Sequence, residues 1–228
     1  DLIMPMPMMN VLNGGSHADN NIDIQEFMIV PVGSKNFKQA LQMGAEIFHT
    51  LKSILKKDKL TTSVGDEGGF APNLKNNEEA LVYLSNAICD AGYEVGKDIK
   101  FALDVASSEL YDNKENKYQL DSESSKLSSR ELISYYENLC SNYPIISIED
   151  GLDENDWEGW VTMNKCLGSK IQLVGDDLTV TNPIKLDRAI KEEAMNAILI
   201  KLNQIGTVTE TLDTIKIAQK NNMGVIVS

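Results

Sequence analysis

The stretch Ile145-Ile146-Ser147-Ile148-Glu149-Asp150 is a short apolar run that stops on two adjacent carboxylates. An uninterrupted apolar run rich in β-branched side chains is typical of a parallel strand that is buried on both faces. In a barrel of alternating strands and helices, the chemistry lies where each strand ends. The stretch therefore predicts a buried barrel strand whose terminal carboxylates reach a functional site.

The same pattern recurs upstream and downstream of this stretch, where three more apolar runs each end on an ionisable side chain. The four strand-end residues are Asp104, Glu149, Asp176 and Lys201. They are separated by 45, 27 and 25 residues, whereas a strand, its returning helix and two loops need roughly 25 to 40 residues. The spacing predicts successive strands of one barrel wall.

The rest of the chain predicts two strands, two helices and then a regular alternation of strands and helices. The first predicted strand begins around residue 10. The other six predicted strands cover residues 26–32, 100–105, 145–150, 171–176, 197–202 and 224–227. The predicted helices cover residues 36–57, 77–91, 129–142, 157–167, 183–194 and 207–222. Residues 109–121 predict a small surface hairpin. Because the first two strands are joined by a short loop, we expect them to be antiparallel.

This order predicts an α/β barrel that begins ββαα and continues with βα repeats. Seven strands are counted, and a closed barrel of this kind normally has eight. Nothing in the composition marks a linker that would divide the chain. We therefore expect residues 1–228 to form one domain that is cut short.

The overall charge excludes several kinds of partner. The chain has 34 acidic and 21 basic residues and a formal net charge of -13, which argues against nucleic acid or an anionic membrane surface. Three widely spaced cysteines predict neither a disulfide framework nor a structural zinc site, and they suit a reducing cytosol. The apolar runs are strand-length, far short of a membrane span.

Three strand-end carboxylates, followed by a lysine at the next strand end, predict a metal-binding site with a candidate base beside it. Carboxylates without nearby His or Cys partners form a hard, all-oxygen site that suits Mg²⁺. Lys201 ends an apolar strand, and a desolvated lysine beside a metal can lose its proton and act as a base. Two alternatives remain open from the residues alone: the acids cap the following helices, or Lys201 simply pairs with one of them.

Two loops carry further ionisable side chains. Residues 64–73 are rich in glycine and hold Asp66 and Glu67, but they lack the Lys-Ser or Lys-Thr end of a phosphate-binding loop. By composition alone this loop is a glycine turn with solvated acids. His17 lies in a polar loop, where a lone histidine is usually a surface residue, and His49 lies on an apolar helix, where it is structural.

Several long strings resemble the enolase family, the glycolytic phosphopyruvate hydratases, and do so in the right order over essentially the whole chain. They are GGSHADNNIDIQEFMIVPVG (14–33), VGDEGGFAPN (64–73), SIEDGLDENDW (147–157), LVGDDLTVTN (173–182) and ILIKLNQIGT (198–207). The resemblance implies the enolase-type TIM barrel, whose first two strands are antiparallel. It also implies the reversible dehydration of 2-phosphoglycerate to phosphoenolpyruvate.

Matched position by position, the resemblance implies a role for each site residue. The implied Mg²⁺ ligands are Asp104, Glu149 and Asp176. Lys201 is implied to be the base, and Glu67 the acid that assists loss of the hydroxyl. Both touch the substrate, and the other implied substrate-binding residues are His17, Gln25, Glu26 and Ser228.

The resemblance also implies a bacterial-type enolase that is a cytoplasmic homodimer, with room for an additional cell-surface or secreted pool. Compared with the family, the chain lacks the N-terminal α+β domain and the eighth strand, so we expect the isolated 228-residue fragment to be inactive. Two rival hypotheses remain open. One is a superfamily member that abstracts a proton from a different carboxylate, and the other is a non-catalytic barrel with a binding or surface role.

Overall fold

The computed structural model describes residues 4–228, and the contacts divide the chain into two compact units. The first unit comprises the chain up to Asp104 together with Leu120–Ser125 and Asn138–Ile146. The second unit comprises Val105–Gln119, Lys126–Glu137 and Ser147–Ser228. The expectation of a single domain stays a prediction.

Three antiparallel strands form the sheet of the first unit: β1 (Met9–Asn13), β2 (Glu26–Val30) and β3 (Lys100–Asp104). The prediction that the first two strands are antiparallel is therefore confirmed. β2 stops two residues earlier than predicted, just before Pro31, which cannot donate to a strand ladder. The register sets Glu26 opposite Asp104.

Two helices follow β2, as predicted: α1 (Phe37–Lys57) and α2 (Asn77–Asp90). Each begins after an Asn whose side chain accepts a backbone N–H three residues on, which satisfies one of the unpaired donors of the first turn. Apolar residues at helical spacing form the buried face of α1, and they are Ala40, Met43, Ile47, Leu51 and Leu55.

A small three-stranded sheet lies where a surface hairpin was predicted: β4 (Tyr111–Asp112), β5 (Lys117–Leu120) and β6 (Ser125–Leu127). The hairpin of β4 and β5 is present, but the third strand was not predicted. Tyr118 is also fully buried, not at the surface. Its hydroxyl donates to Asp156 and accepts the backbone N–H of Asp153, which explains how a polar ring end is accommodated in the interior.

The remaining elements alternate as predicted. The strands are β7 (Ile145–Glu149), β8 (Gln172–Gly175), β9 (Ala197–Ile200) and β10 (Gly224–Val227). The helices are α3 (Ser129–Asn142), α4 (Trp157–Leu167), α5 (Pro183–Glu192), α6 (Leu202–Ile205) and α7 (Val208–Lys220). β7 to β10 pair in parallel in this order. The short helix α6 was not predicted, and it ends β9 two residues early.

The main sheet has seven strands in the order β1-β2-β3-β7-β8-β9-β10. This is the predicted α/β fold, ββαα followed by βα repeats, with the seven strands of an incomplete enolase-type TIM barrel. Within residues 4–228, no helix is both long enough and apolar enough to cross a membrane.

Candidate functional site

The first unit holds five of the nine predicted site residues, and the sheet positions two of them directly. Asp104 is the last residue of β3 and is only 8% exposed. The Nε2 atom of Gln25 donates to Oδ2 of Asp104 at 3.1 Å. The Oε1 atom of Gln25 accepts from the Ser16 hydroxyl at 3.3 Å. Ser16 thus turns the amide so that its N–H group points at Asp104.

The glycine-rich loop of residues 64–73 is fastened to β1. The N–H of Phe70 donates to the carbonyl of Val11 at 3.0 Å, and the N–H of Asn13 donates to the carbonyl of Phe70 at 2.8 Å. A side chain on Gly69 would bring its Cβ within 2.6 Å of the Leu12 nitrogen, so this close approach requires glycine. The loop presents Glu67 at its tip with half of its side chain exposed.

His17, Glu26 and Glu67 lie close together in this unit. One ligand atom from each lies within 4.8 Å of the others. The Nδ1 atom of His17 is 3.8 Å from Oε1 of Glu67, and among residues 4–228 it is buried without a hydrogen-bond partner. The residue is therefore not the ordinary surface histidine that its loop alone suggests.

In the second unit, Asp150 organises the end of β8. Its backbone has a φ of 44°, in the left-handed region, and the residue is only 5% exposed. Its two carboxylate oxygens accept the backbone N–H groups of Asp176 at 3.0 Å and Asp177 at 2.9 Å. Sequence reasoning placed Asp150 beside Glu149 at the strand end but did not predict that its carboxylate accepts these two backbone N–H groups.

Asp176 and Lys201, predicted as a metal ligand and a base, are in direct contact. The Nζ atom of Lys201 lies 2.5 Å from Oδ2 of Asp176. The other oxygen, Oδ1, accepts the amide N–H of Gln204 at 2.6 Å. Gln204 belongs to the unpredicted helix α6, and its role therefore escaped sequence reasoning.

The second unit concentrates buried negative charge. Glu149, Asp150 and Asp176 are each buried, with at most 7% of their surface exposed. Burial raises the pKa of Asp177, the negative charge of Asp176 raises it further, and Lys201 opposes the rise. Oxygen atoms of Asp150, Asp176 and Asp177 lie within 4.8 Å of one another. A hard divalent cation such as Mg²⁺ would offset this repulsion, so the chemistry of these three carboxylates fits a candidate site for such an ion.

Ser228 directly follows β10, is exposed, and donates its backbone N–H to the carbonyl of Ile200 at 3.1 Å. With Glu149, Asp176 and Lys201 it makes up the predicted site residues of the second unit. Of these four, the contacts bring Asp176 and Lys201 together. That Asp104, Glu149 and Asp176 share one ion stays a prediction.

Comparison with known proteins places the chain among relatives. The family model for the enolase C-terminal TIM barrel domain matches residues 1–228. The chain is 60% identical over 227 residues to a protein named Enolase from Legionella pneumophila (strain Lens), a match that covers 100% of this chain and 53% of that protein. The chain thus spans about half the length of the curated relative that it matches.

Proposed function

Because the chain belongs to the family of the enolase C-terminal TIM barrel domain, we propose that it supplies the catalytic barrel of a glycolytic lyase. The proposed reaction is the reversible dehydration of 2-phosphoglycerate to phosphoenolpyruvate. The Gly-Asp-Glu-Gly-Gly loop and the Ser16-His17-Ala18 segment favour this substrate over those of other superfamily members.

The observation that carries the proposal is the contact between Lys201 and Asp176 at 2.5 Å. It holds an amino group against the carboxylate of a proposed metal ligand, at adjacent strand ends. Enolase-superfamily sites are the established example of this chemistry, a Lys or His base beside one or two Mg²⁺ ions.

The reaction takes a proton from the carbon α to the substrate carboxylate and expels hydroxide from the neighbouring carbon. Neutral Lys201 accepts the α-proton at Nζ. Protonated Glu67 then donates to the departing hydroxide, which leaves as water. Asp104, Glu149 and Asp176 would hold Mg²⁺, which would supply positive charge to stabilise the extra negative charge on the substrate carboxylate.

The other proposed site residues bind and orient the substrate. His17 offers its buried Nδ1 atom beside Glu67. Gln25 donates its amide to Asp104, a proposed ligand, and Glu26 is paired with Asp104 across the sheet. These contacts support a role in holding the carboxylates in place around the substrate. Ser228, at the end of β10, is proposed to bind the substrate from the family resemblance alone.

The test is an assay of the complete protein for the enol phosphate, which absorbs in the ultraviolet. We expect absorbance to rise with 2-phosphoglycerate, to stop when EDTA removes the metal, and to return with Mg²⁺. Failure to turn over 2-phosphoglycerate, with α-proton exchange on another carboxylate substrate, would overturn the proposed substrate and leave the superfamily chemistry.

We further propose a cytoplasmic homodimer, from the family alone. Light scattering on the complete protein tests the assembly, and a mass of one chain would contradict it. Cell fractionation tests the location, including any cell-surface or secreted pool.

A further inference from the structure

Thr181 and Gln204 form a chain of hydrogen bonds, called the relay, that connects the backbone of Lys201 to the side chain of Asp176. The N–H of Lys201 donates to the Thr181 hydroxyl at 2.9 Å. That hydroxyl donates to Oε1 of Gln204 at 2.8 Å. The Nε2 atom of Gln204 donates to Oδ1 of Asp176 at 2.6 Å. Together with the contact of Lys201 and Asp176, the chain closes into a ring.

The direction of every bond in this ring follows from its two ends, the backbone N–H of Lys201, which donates, and the carboxylate oxygen of Asp176, which accepts. A backbone N–H can only donate, so the Thr181 hydroxyl accepts from Lys201 and has a single proton left for Gln204. The carbonyl oxygen of the amide takes that proton. The amide nitrogen must then face Asp176, whereas a flipped amide would set two oxygens against each other.

The backbone around Thr181 is held in an uncommon conformation. Val180 and Thr181 have φ values of 45° and 55°, a region that β-branched residues rarely occupy. Thr181 is fully buried, and its carbonyl accepts the hydroxyl of Thr214 from α7 at 3.1 Å. Strained backbone of this kind persists where the surroundings over-determine it, and it clusters at functional sites.

We propose that Thr181 and Gln204 are positioning residues for the reaction, because they orient the carboxylate of Asp176 for Mg²⁺ and fix the strand end that carries Lys201. The proposal rests on the proposed function for its link to catalysis. Its structural part concerns only how Asp176 is held. Neither residue needs to touch the substrate.

The test compares Thr181→Val with Thr181→Ser in the complete protein. Valine keeps the size and branching but removes the hydroxyl, whereas serine keeps the hydroxyl. We expect Thr181→Val to weaken Mg²⁺ binding by about tenfold, the usual effect of losing a group that orients a ligand. Mg²⁺ binding is measured by calorimetry without substrate. We expect kcat to fall by at least as much, with KM nearly unchanged, and Thr181→Ser to restore both.

A second variant distinguishes loss of the hydrogen bonds from misfolding of the strained backbone around Thr181. Gln204→Met removes the amide of half-buried Gln204 without altering Val180 and Thr181, the residues with left-handed backbone. We expect the same loss of Mg²⁺ affinity, and no further loss in the double variant, since both substitutions break one chain of bonds. Fully additive losses would contradict the relay.

The outcomes separate the two proposals. If the wild-type protein turns over 2-phosphoglycerate but Thr181→Val and Gln204→Met match it in Mg²⁺ affinity and rate, the relay is wrong and the reaction stands. If Thr181→Ser is as impaired as Thr181→Val, the methyl packing matters and the relay is also wrong. If the wild type has no lyase activity but Thr181→Val and Gln204→Met both lose Mg²⁺ affinity while Thr181→Ser keeps it, the relay stands and the proposed reaction is wrong.

Discussion

Lys201 and Asp176 are joined through Nζ and Oδ2 at 2.5 Å, while the second oxygen of Asp176 accepts from Gln204. Both oxygens of this carboxylate are therefore engaged within the protein. The pairing was one alternative that the sequence left open for Lys201. It is compatible with the role of base, because the same geometry keeps the amino group at the strand end where a substrate proton would be taken.

The first prediction concerns removal of the proposed base. Lys201→Ala should lower proton exchange at the substrate α-carbon by about 10²- to 10⁴-fold, the usual contribution of a general base. Mg²⁺ binding should remain nearly intact, since Lys201 is not a ligand and its loss leaves Asp176 available. Exchange in D₂O is followed by NMR, and Mg²⁺ binding by calorimetry.

The matched control is Lys216→Ala. Lys216 pairs with Asp213 at 2.9 Å on the exposed side of α7, with 72% of its side chain exposed. Both measurements should stay at wild-type values in this variant. Appreciable α-proton exchange by the Lys201 variant would show that another group is the base.

The second prediction separates the two proton transfers. Glu67→Gln keeps the size of the side chain but cannot donate a carboxyl proton, so α-proton exchange should persist. Formation of phosphoenolpyruvate should fall by about 10²- to 10⁴-fold. The two rates are measured on the same sample, exchange by NMR and product by absorbance.

A surface acid provides the comparison for this variant. Glu94→Gln removes a carboxylate that pairs with Lys97 at 2.9 Å and is 63% exposed, so neither rate should change. Loss of exchange together with dehydration in Glu67→Gln would mean that Glu67 is needed before the α-proton leaves, which contradicts its role as the acid.

The third prediction concerns the two hydrogen bonds that the Asp150 carboxylate accepts from the backbone N–H groups of Asp176 and Asp177. Asn at this position tolerates a positive φ, but one of its two acceptor oxygens becomes an N–H group facing a backbone N–H. Asp150→Asn should lower the free energy of unfolding by about 1 to 3 kcal/mol, because a buried donor loses its partner. Urea unfolding of the metal-free protein measures this.

Asp187→Asn is the control for Asp150→Asn, since Asp187 pairs with Lys191 on the exposed face of α5. Its effect should stay within about 0.5 kcal/mol. Equal stability of Asp150→Asn and wild type would show that the two hydrogen bonds to Asp176 and Asp177 do not hold the strand end.

The fourth prediction concerns pH. Tyr93 donates a hydrogen bond to Glu46, and this bond is the main cause that lowers the pKa of Glu46 below its ordinary value of 4.5. A lowered folded pKa gives stabilisation that is present above the ordinary value and lost as pH falls through the lowered one. Tyr93→Phe should therefore destabilise the protein more at neutral pH than at about pH 3.

The same bond has an alkaline counterpart. The hydrogen bond to Glu46, followed by burial, raises the pKa of Tyr93 to about 12, so its stabilisation should be lost as pH rises from about 10 towards that value. Urea unfolding across pH measures both limbs. In a Glu46→Gln background the acidic limb of the Tyr93→Phe effect should vanish, and its survival there would assign the pH dependence to another group.

Local signals explain which elements were predicted closely. The structure has Ser129–Asn142, Trp157–Leu167 and Gly224–Val227 at the predicted bounds. Asp156 caps α4 through its side chain, and Asn182 caps α5 just before Pro183. Caps and periodicity lie within a few neighbouring residues and can be found in sequence.

The elements that escaped prediction depend on contacts between distant residues. β6 and α6 are three and four residues long, too short for a periodic signal. The relay of Thr181 and Gln204 joins residues 23 positions apart, and no local pattern announces it. Asp104, Glu149 and Asp176 were predicted because each ends a short apolar run, and their shared role as ligands of one ion stays a prediction.

The hydrogen bonds that hold the Glu67 loop against β1 should slow the exchange of its backbone amides with solvent. Phe70 and Asn13 exchange backbone hydrogen bonds with the neighbouring segment, and Gly69 donates to the side chain of Asn13 at 2.8 Å. Gly68, which has a φ of 86°, also donates its N–H to the carbonyl of Gly65 at 3.1 Å. In deuterated water the amides of Asn13, Gly69 and Phe70 should therefore exchange late and together.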